Sequence, residues 1–154
     1  MTNYELRPAT ADDHDFLYNL GPATMRTYVE QTWGAWDEAA YRERFESSFD
    51  PAADQIIVVD GNNAGTARLE HFPDFDYLSR IYILPAYQNR GIGTAILQAL
   101  IAKSHRQQRP LELRVLKTNP RAQQLYERLG FEVYMSIEFH HMMRCSPPTL
   151  DDVK

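Results

Sequence analysis

An apolar run containing the β-branched residues Ile81 and Ile83 stops at Pro85, and a loop with two glycines follows, Gln88-Asn89-Arg90-Gly91-Ile92-Gly93-Thr94. Behind the loop, Ile92, Ile96, Leu97, Leu100 and Ile101 recur at helical spacing. A strand must therefore feed a helix through a tight turn. That order gathers backbone N–H groups at the positive end of a helix dipole, a cup that suits a phosphate or pyrophosphate. Glycine at 91 and 93 lets the backbone approach such an anion with no Cβ in the way. A Walker-type loop is a poor match, because the Lys-Ser/Thr pair after the second glycine is missing.

The bulk properties narrow the remaining classes. A chain of 154 residues favours one domain with a real core. We expect residues 1–145 to form it, with 146–154, opening Ser146-Pro147-Pro148, as a flexible tail. A net charge of −5 argues against a nucleic-acid partner and leaves room for a cationic acceptor such as an amine. The single cysteine, Cys145, cannot form an intrachain disulfide, which points to a reducing compartment. Asp12, Asp13 and Asp15 stand where a signal peptide needs an apolar run, and no stretch approaches the ~20 apolar residues of a membrane span. The expectation is a cytoplasmic protein without a membrane partner. Five His and one Cys show no metal-ligand spacing, so no metal is expected.

The periodicity reads as strand, helix, helix, three strands, helix, strand, helix, strand, with one further strand to follow. Residues 4–7 alternate and stop at Pro8. Thr10 caps a helix beginning at Ala11, and Gly21-Pro22 is expected to interrupt it before Met25, Tyr28 and Val29 resume the spacing. Asp37 caps a second helix with Tyr41, Phe45 and Phe49 on one face. The run Ile56-Ile57-Val58-Val59 is a buried strand, and Asp60-Gly61-Asn62-Asn63 has hairpin chemistry. Strands follow at about 64–71, 77–84 and 111–116. Asn119-Pro120 opens a helix that ends at Leu129-Gly130. From Phe131 to Arg144 the chain alternates with no Gly or Pro to place a turn. The fold class is mixed α/β (α+β), helices layered on a sheet.

Four pieces in this order resemble the GCN5-related N-acetyltransferase superfamily: the Gln88-to-Gly93 loop, the strand ending in proline just before it, Asn119 seven residues before Tyr126, and the segment Leu125-Tyr126-Glu127-Arg128-Leu129-Gly130-Phe131. The resemblance spans about residues 6–143. It implies a mostly antiparallel sheet of six to seven strands with helices on both faces, and acetyl-CoA as cofactor. Gln88, Asn89, Arg90, Ile92 and Thr94 would then present backbone N–H groups to the pyrophosphate. The backbone of Ile81 and Ile83 would pair with the pantetheine arm, and an N–H near Ile81, freed by a bulge, would face the thioester carbonyl. Asn119 would combine a helix cap with a contact to the arm or the neighbouring turn, and Tyr126 would protonate the departing thiolate.

The resemblance implies acetyl transfer to a primary amine by direct attack in a ternary complex, with a small-molecule acceptor. Alternatives are a protein N-terminus or lysine as acceptor, or a CoA-binding module without catalysis. Either a monomer or a homodimer is compatible with the resemblance. A carboxylate that some members carry before the glycine loop falls on Tyr77 here, so Glu70, Glu138, His140, His141 or water remain as bases. The first helices and their connection supply Tyr28, Trp33 and Trp36 as acceptor-site candidates, joined by Glu70 and Arg80 on the strands. Arg68 and Arg80 could instead hold an acceptor carboxylate.

Overall fold

The computed structural model describes residues 3–149; the last five residues of the expected tail, 150–154, lie outside the described residues. The elements are β1 (Glu5–Pro8), α1 (His14–Trp33), α2 (Glu38–Ser48), β2 (Gln55–Val59), β3 (Asn62–His71), β4 (Asp76–Ile83), α3 (Ile92–Arg106), β5 (Leu111–Leu116), α4 (Pro120–Arg128), β6 (Glu132–Ser136) and β7 (His140–Cys145). The strands form a seven-stranded sheet in the order β1-β2-β3-β4-β5-β7-β6. It is mostly antiparallel, with β4 and β5 parallel. The chain divides into two compact units, Met1–Arg68 with Arg80–Gly93, and Leu69–Ser79 with Thr94–Lys154.

In the first unit, Leu17 and Leu20 of α1, Phe45 of α2 and Ile56 of β2 form a buried cluster with Ala9. The Thr10 cap works as a capping box: its side chain accepts from the Asp12 amide, and Asp13 accepts from the Thr10 amide at 2.8 Å. Asp13 also pairs with Arg7 at 2.8 Å, joining the strand to the start of the helix. Asp60 and Gly61 both have positive φ, 52° and 79°, as a two-residue hairpin between β2 and β3 requires.

The expected break at Gly21-Pro22 is absent, because α1 runs unbroken from His14 to Trp33 with Pro22 inside. Pro22 has no N–H to offer the carbonyl of Tyr18 four residues earlier. The Tyr41 hydroxyl of α2 donates to that carbonyl instead, at 2.6 Å. Gly21 makes the room: a Cβ there would lie 2.2 Å from the Tyr41 hydroxyl oxygen. Gly21-Pro22 is thus a slot that locks α2 onto α1. Burial pushes the Tyr41 hydroxyl up to about 12, so it remains a donor at any physiological pH. Tyr41→Phe leaves the Tyr18 carbonyl without this donor. The expected loss is ~1–3 kcal/mol in chemical denaturation, and a loss under 0.5 kcal/mol would refute the substitution of hydroxyl for amide.

In the second unit, β5 carries Leu111, Leu113, Val115 and Leu116 into the core, beside Phe131, Met143 and Cys145. Asn119 caps α4, its Oδ1 accepting from the Ala122 amide at 3.2 Å, with Pro120 in the first turn. The turn between β6 and β7, open in the sequence, falls at residues 137–139, where the Ile137 amide donates to the His140 carbonyl at 2.9 Å. The register shifts between Val133 and Met135, and every residue of β6 is exposed. The apolar alternation of residues 133–139 therefore does not mark a buried face.

Candidate functional site

The glycine loop and its strand lie in the first unit up to Gly93. Pro85 begins a short helical turn, after which Asn89 and Gly91 take positive φ of 63° and 79°. Helix α3 then starts at Ile92. A Cβ on Gly91 would meet nothing within 4 Å, so its face of the loop is open to a ligand. A Cβ on Gly93 would come to 3.4 Å from Ile83 Cδ1, so this second glycine serves close packing of helix on strand. Arg90 is exposed, with its guanidinium 5.4 Å from the Tyr87 ring centre. These features fit a diphosphate: an open backbone loop, a helix N-terminus behind it and a nearby cation.

Gln88 has a different role from the one expected. Its backbone N–H donates to the Pro85 carbonyl at 3.2 Å, and its side-chain Nε2 donates to the Ile83 carbonyl at 2.8 Å. Gln88 therefore ties the loop to the end of β4 and offers no backbone N–H to an anion.

Ile81 and Ile83 lie on β4, both half-buried. The parallel register with β5 covers Asp76↔Leu111 and Tyr77↔Glu112, so both isoleucines lie beyond that ladder. Burial alternates along β4 up to Ser79, and the next four residues are all half-buried. Gly65 of β3 approaches so closely that a Cβ there would lie 2.1 Å from the Tyr82 carbonyl oxygen. This glycine allows β3 to press against the part of β4 that carries the two isoleucines.

Thr94, Asn119 and Tyr126 belong to the second unit. The Asn119 oxygen is engaged in the helix cap. Tyr126 is half-buried on α4, its ring edge-on to the buried Phe131 at 5.8 Å, and its carbonyl accepts from the amides of Leu129 and Phe131.

Of the acceptor candidates, Tyr28, Trp33, Trp36 and Arg80 belong to the first unit and Glu70 to the second. Trp36 donates to Glu38 at 2.9 Å and stacks obliquely on Tyr41 at 4.9 Å. Tyr18 also donates to Glu38, and Arg26 lies 5.9 Å from the Trp36 ring centre. Trp36 is thus part of the α1–α2 junction. Trp33 ends α1 at 53% exposure, and Tyr28 is half-buried within that helix. Arg80 lies 6.0 Å from the Tyr82 ring centre. Arg68 is not available for an acceptor carboxylate, because it pairs with buried Asp54 at 2.8 Å. Glu70 belongs to the second unit, where it lines a cavity with Tyr77, Glu112 and Arg114. Of the other base candidates, His141 contacts Ser136 at 2.8 Å and Glu138 is exposed in the β6–β7 turn. Burial, aided by the Arg114 charge, pushes the His140 imidazole below its ordinary value.

Sequence reasoning passed over Phe72, Phe75, Glu112 and Arg114. Residues 112 and 114 share a strand face by parity, but the order of strands in the sheet was needed to bring them beside β3 and β4.

This strand–loop–helix unit on a sheet of this order is the architecture shared by the acetyltransferase (GNAT) fold. The chain belongs to the acetyltransferase (GNAT) family, whose sequence model matches residues 19–131. It is similar to a spermine/spermidine N(1)-acetyltransferase of Bacillus subtilis, at 30% identity over 95 residues, covering 54% of this chain and 62% of that relative. The match thus spans less than two thirds of that relative's length. Its fold is similar to that of the PaiA N-acetyltransferase from Thermoplasma acidophilum, solved in complex with coenzyme A, with a TM-score of 0.73 at 17% identity, covering 94% of this chain and 99% of that one. It is also similar to the ribosomal-protein-S18-alanine N-acetyltransferase from Escherichia coli, with a TM-score of 0.66 at 20% identity, covering 97% and 98%. Among the described residues no helix is long and apolar enough to cross a membrane, and no cluster of three metal-ligating side chains occurs.

Alanine at Gly91 would have to adopt left-handed backbone, at a cost of ~1–2 kcal/mol, and would put a methyl group on the open face of the loop. The expected result for Gly91→Ala is a KM for acetyl-CoA raised about tenfold with kcat nearly kept. Steady-state kinetics at saturating amine checks this; an unchanged KM would remove Gly91 from the donor site.

Proposed function

We propose that residues 1–145 act as one acetyltransferase domain that transfers the acetyl group of acetyl-CoA to a small primary amine by direct attack. The observation that carries this reading is the open Gly91 loop ahead of α3, joined to β4 by Gln88. Acetyl-CoA supplies an activated acetyl group as a thioester. Backbone N–H groups from Asn89 to Thr94 hold the pyrophosphate, with Arg90 adding positive charge. The backbone of Ile81 and Ile83 takes the pantetheine arm as an added strand, and the N–H near Ile81 points at the carbonyl oxygen where negative charge develops. Asn119 caps α4, and Tyr126 on that helix gives its phenolic proton to the thiolate sulfur as the C–S bond breaks. The amine forms the new C–N bond and loses its proton to a neighbouring base or to water. The relative acting on spermine and spermidine supports a small amine as acceptor.

Free-thiol release from acetyl-CoA across a panel of primary amines tests this reading. Amine-dependent release with a matching N-acetyl product is expected. Coenzyme A binding with no release for any amine would instead assign the chain as a binding module.

A further inference from the structure

A cavity of about 280 Å³ opens on the second unit, lined by Glu70 of β3, Tyr77 of β4, Glu112 and Arg114 of β5, Tyr134 of β6 and Met142 of β7. Phe72 and Phe75 extend its wall. Their rings stack at 4.9 Å and 13°, and Tyr77 meets Phe72 edge-on at 6.5 Å. Phe72 is nonetheless 42% exposed, an apolar shelf presented to solvent. The backbone of this loop is clamped. Arg109 donates to the carbonyls of Phe72, Pro73 and Phe75 and to the Asp76 carboxylate. The shelf is therefore preformed, and a ligand need not order it on arrival.

The charges of the lining separate into answered and unanswered groups. Glu112 is buried and satisfied, accepting from the Tyr134 hydroxyl at 2.8 Å and from Arg144 Nε at 3.0 Å. Glu70 and Arg114 are both exposed, and among the described residues neither has a hydrogen-bond or salt-bridge partner. They carry opposite signs and stand on β3 and β5, on either side of β4. With strands about 4.8 Å apart, their backbones are separated by roughly 10 Å, with aromatic surface between. A polycation would meet the Arg114 guanidinium unfavourably. A molecule with an ammonium at one end, a carboxylate at the other and an apolar body between them meets all three features.

Resting on the acetyltransferase reading above, we propose that this cavity recognises the acceptor. We further propose that the acceptor is a zwitterion whose amine and carboxylate are separated by an apolar body. Glu70 takes the ammonium end, Arg114 takes the carboxylate, and Phe72, Phe75 and Tyr77 support the body.

The test compares 4-(aminomethyl)benzoate with benzylamine, which lacks only the carboxylate, and with spermidine, by thiol release and by isothermal titration. The expected KM is at least tenfold lower for the benzoate than for benzylamine. Arg114→Met should raise the benzoate's KM to that of benzylamine, and Glu70→Gln should raise the KM of both. Equal KM values for the two compounds in the wild type overturn the proposal. So does a benzoate KM that Arg114→Met leaves in place, or a higher kcat/KM for spermidine than for the benzoate. If no amine is turned over, titration separates the two ideas. Benzoate binding that Arg114→Met weakens upholds the cavity while the catalytic reading fails, and absent binding ends both.

Discussion

Asp76→Ala is expected to destabilise the second unit by about 3–5 kcal/mol, the range for removing one member of a buried ionic network. Asp76 is 2% exposed at the start of β4. Its carboxylate accepts from Ser104 of α3 at 2.7 Å, from Arg109 Nε at 3.0 Å, and contacts His71 Nδ1 at 2.8 Å. Alanine would leave the Ser104 hydroxyl buried without this acceptor and would free one arm of the Arg109 clamp. Thermal or urea unfolding followed by tryptophan-independent far-UV circular dichroism checks the magnitude, and a loss below 1 kcal/mol would contradict the network's role. The same residue sets a pH dependence. Burial alone would raise the Asp76 carboxyl, but the hydrogen bonds from Ser104, His71 and Arg109 outweigh it and hold the group below its ordinary value. A depressed carboxylate contributes stability that is complete above its unfolded pKa of ~3.9 and is lost as the pH falls through the folded value. Wild-type stability should therefore drop below about pH 4, and the drop should be smaller in Asp76→Ala. Equal slopes in the two proteins would assign the acid sensitivity elsewhere, with Asp13 next in line, its carboxyl lowered by Arg7.

Tyr126→Phe is expected to lower kcat by about 10²–10⁴, the usual contribution of a positioned general acid. The KM for acetyl-CoA should change little, because the phenylalanine ring can keep the edge-on contact with Phe131. The split between kcat and KM is the informative readout, since a merely structural tyrosine would lower stability and leave turnover per folded enzyme intact. Full turnover at saturating acetyl-CoA and amine would remove the acid role. Leaving-group dependence adds a second check: a thioester whose thiol is more acidic should recover part of the lost rate in Tyr126→Phe.

The strand–loop–helix geometry around the glycines was legible because its signals are local. A proline after Ile83, two glycines at 91 and 93 and an apolar period behind them are properties of neighbouring residues. The caps at Thr10, Asp37 and Asn119 are local in the same sense, and all three form as side-chain-to-backbone hydrogen bonds. Gly21-Pro22 misled because the missing donor is replaced from another helix, and no local rule sees Tyr41. The exposed apolar strand β6 misled for a related reason. Alternation reports burial only when a layer covers one face, and the shift at Val133/Met135 breaks the parity.

By itself, the sequence determined the family, the glycine loop and the strand–loop–helix order, since each depends on spacing along the chain. Tertiary structure decided which charges were already answered. Arg68 is neutralised by Asp54 and Glu112 is held by Arg144, whereas Glu70 and Arg114 stand on the cavity wall with no salt-bridge partner among the described residues. The physical reason is that a side chain's availability depends on partners distant in sequence. Ser104, 28 residues from Asp76, and Arg109, 33 residues from it, meet at one carboxylate only after the fold brings their elements together.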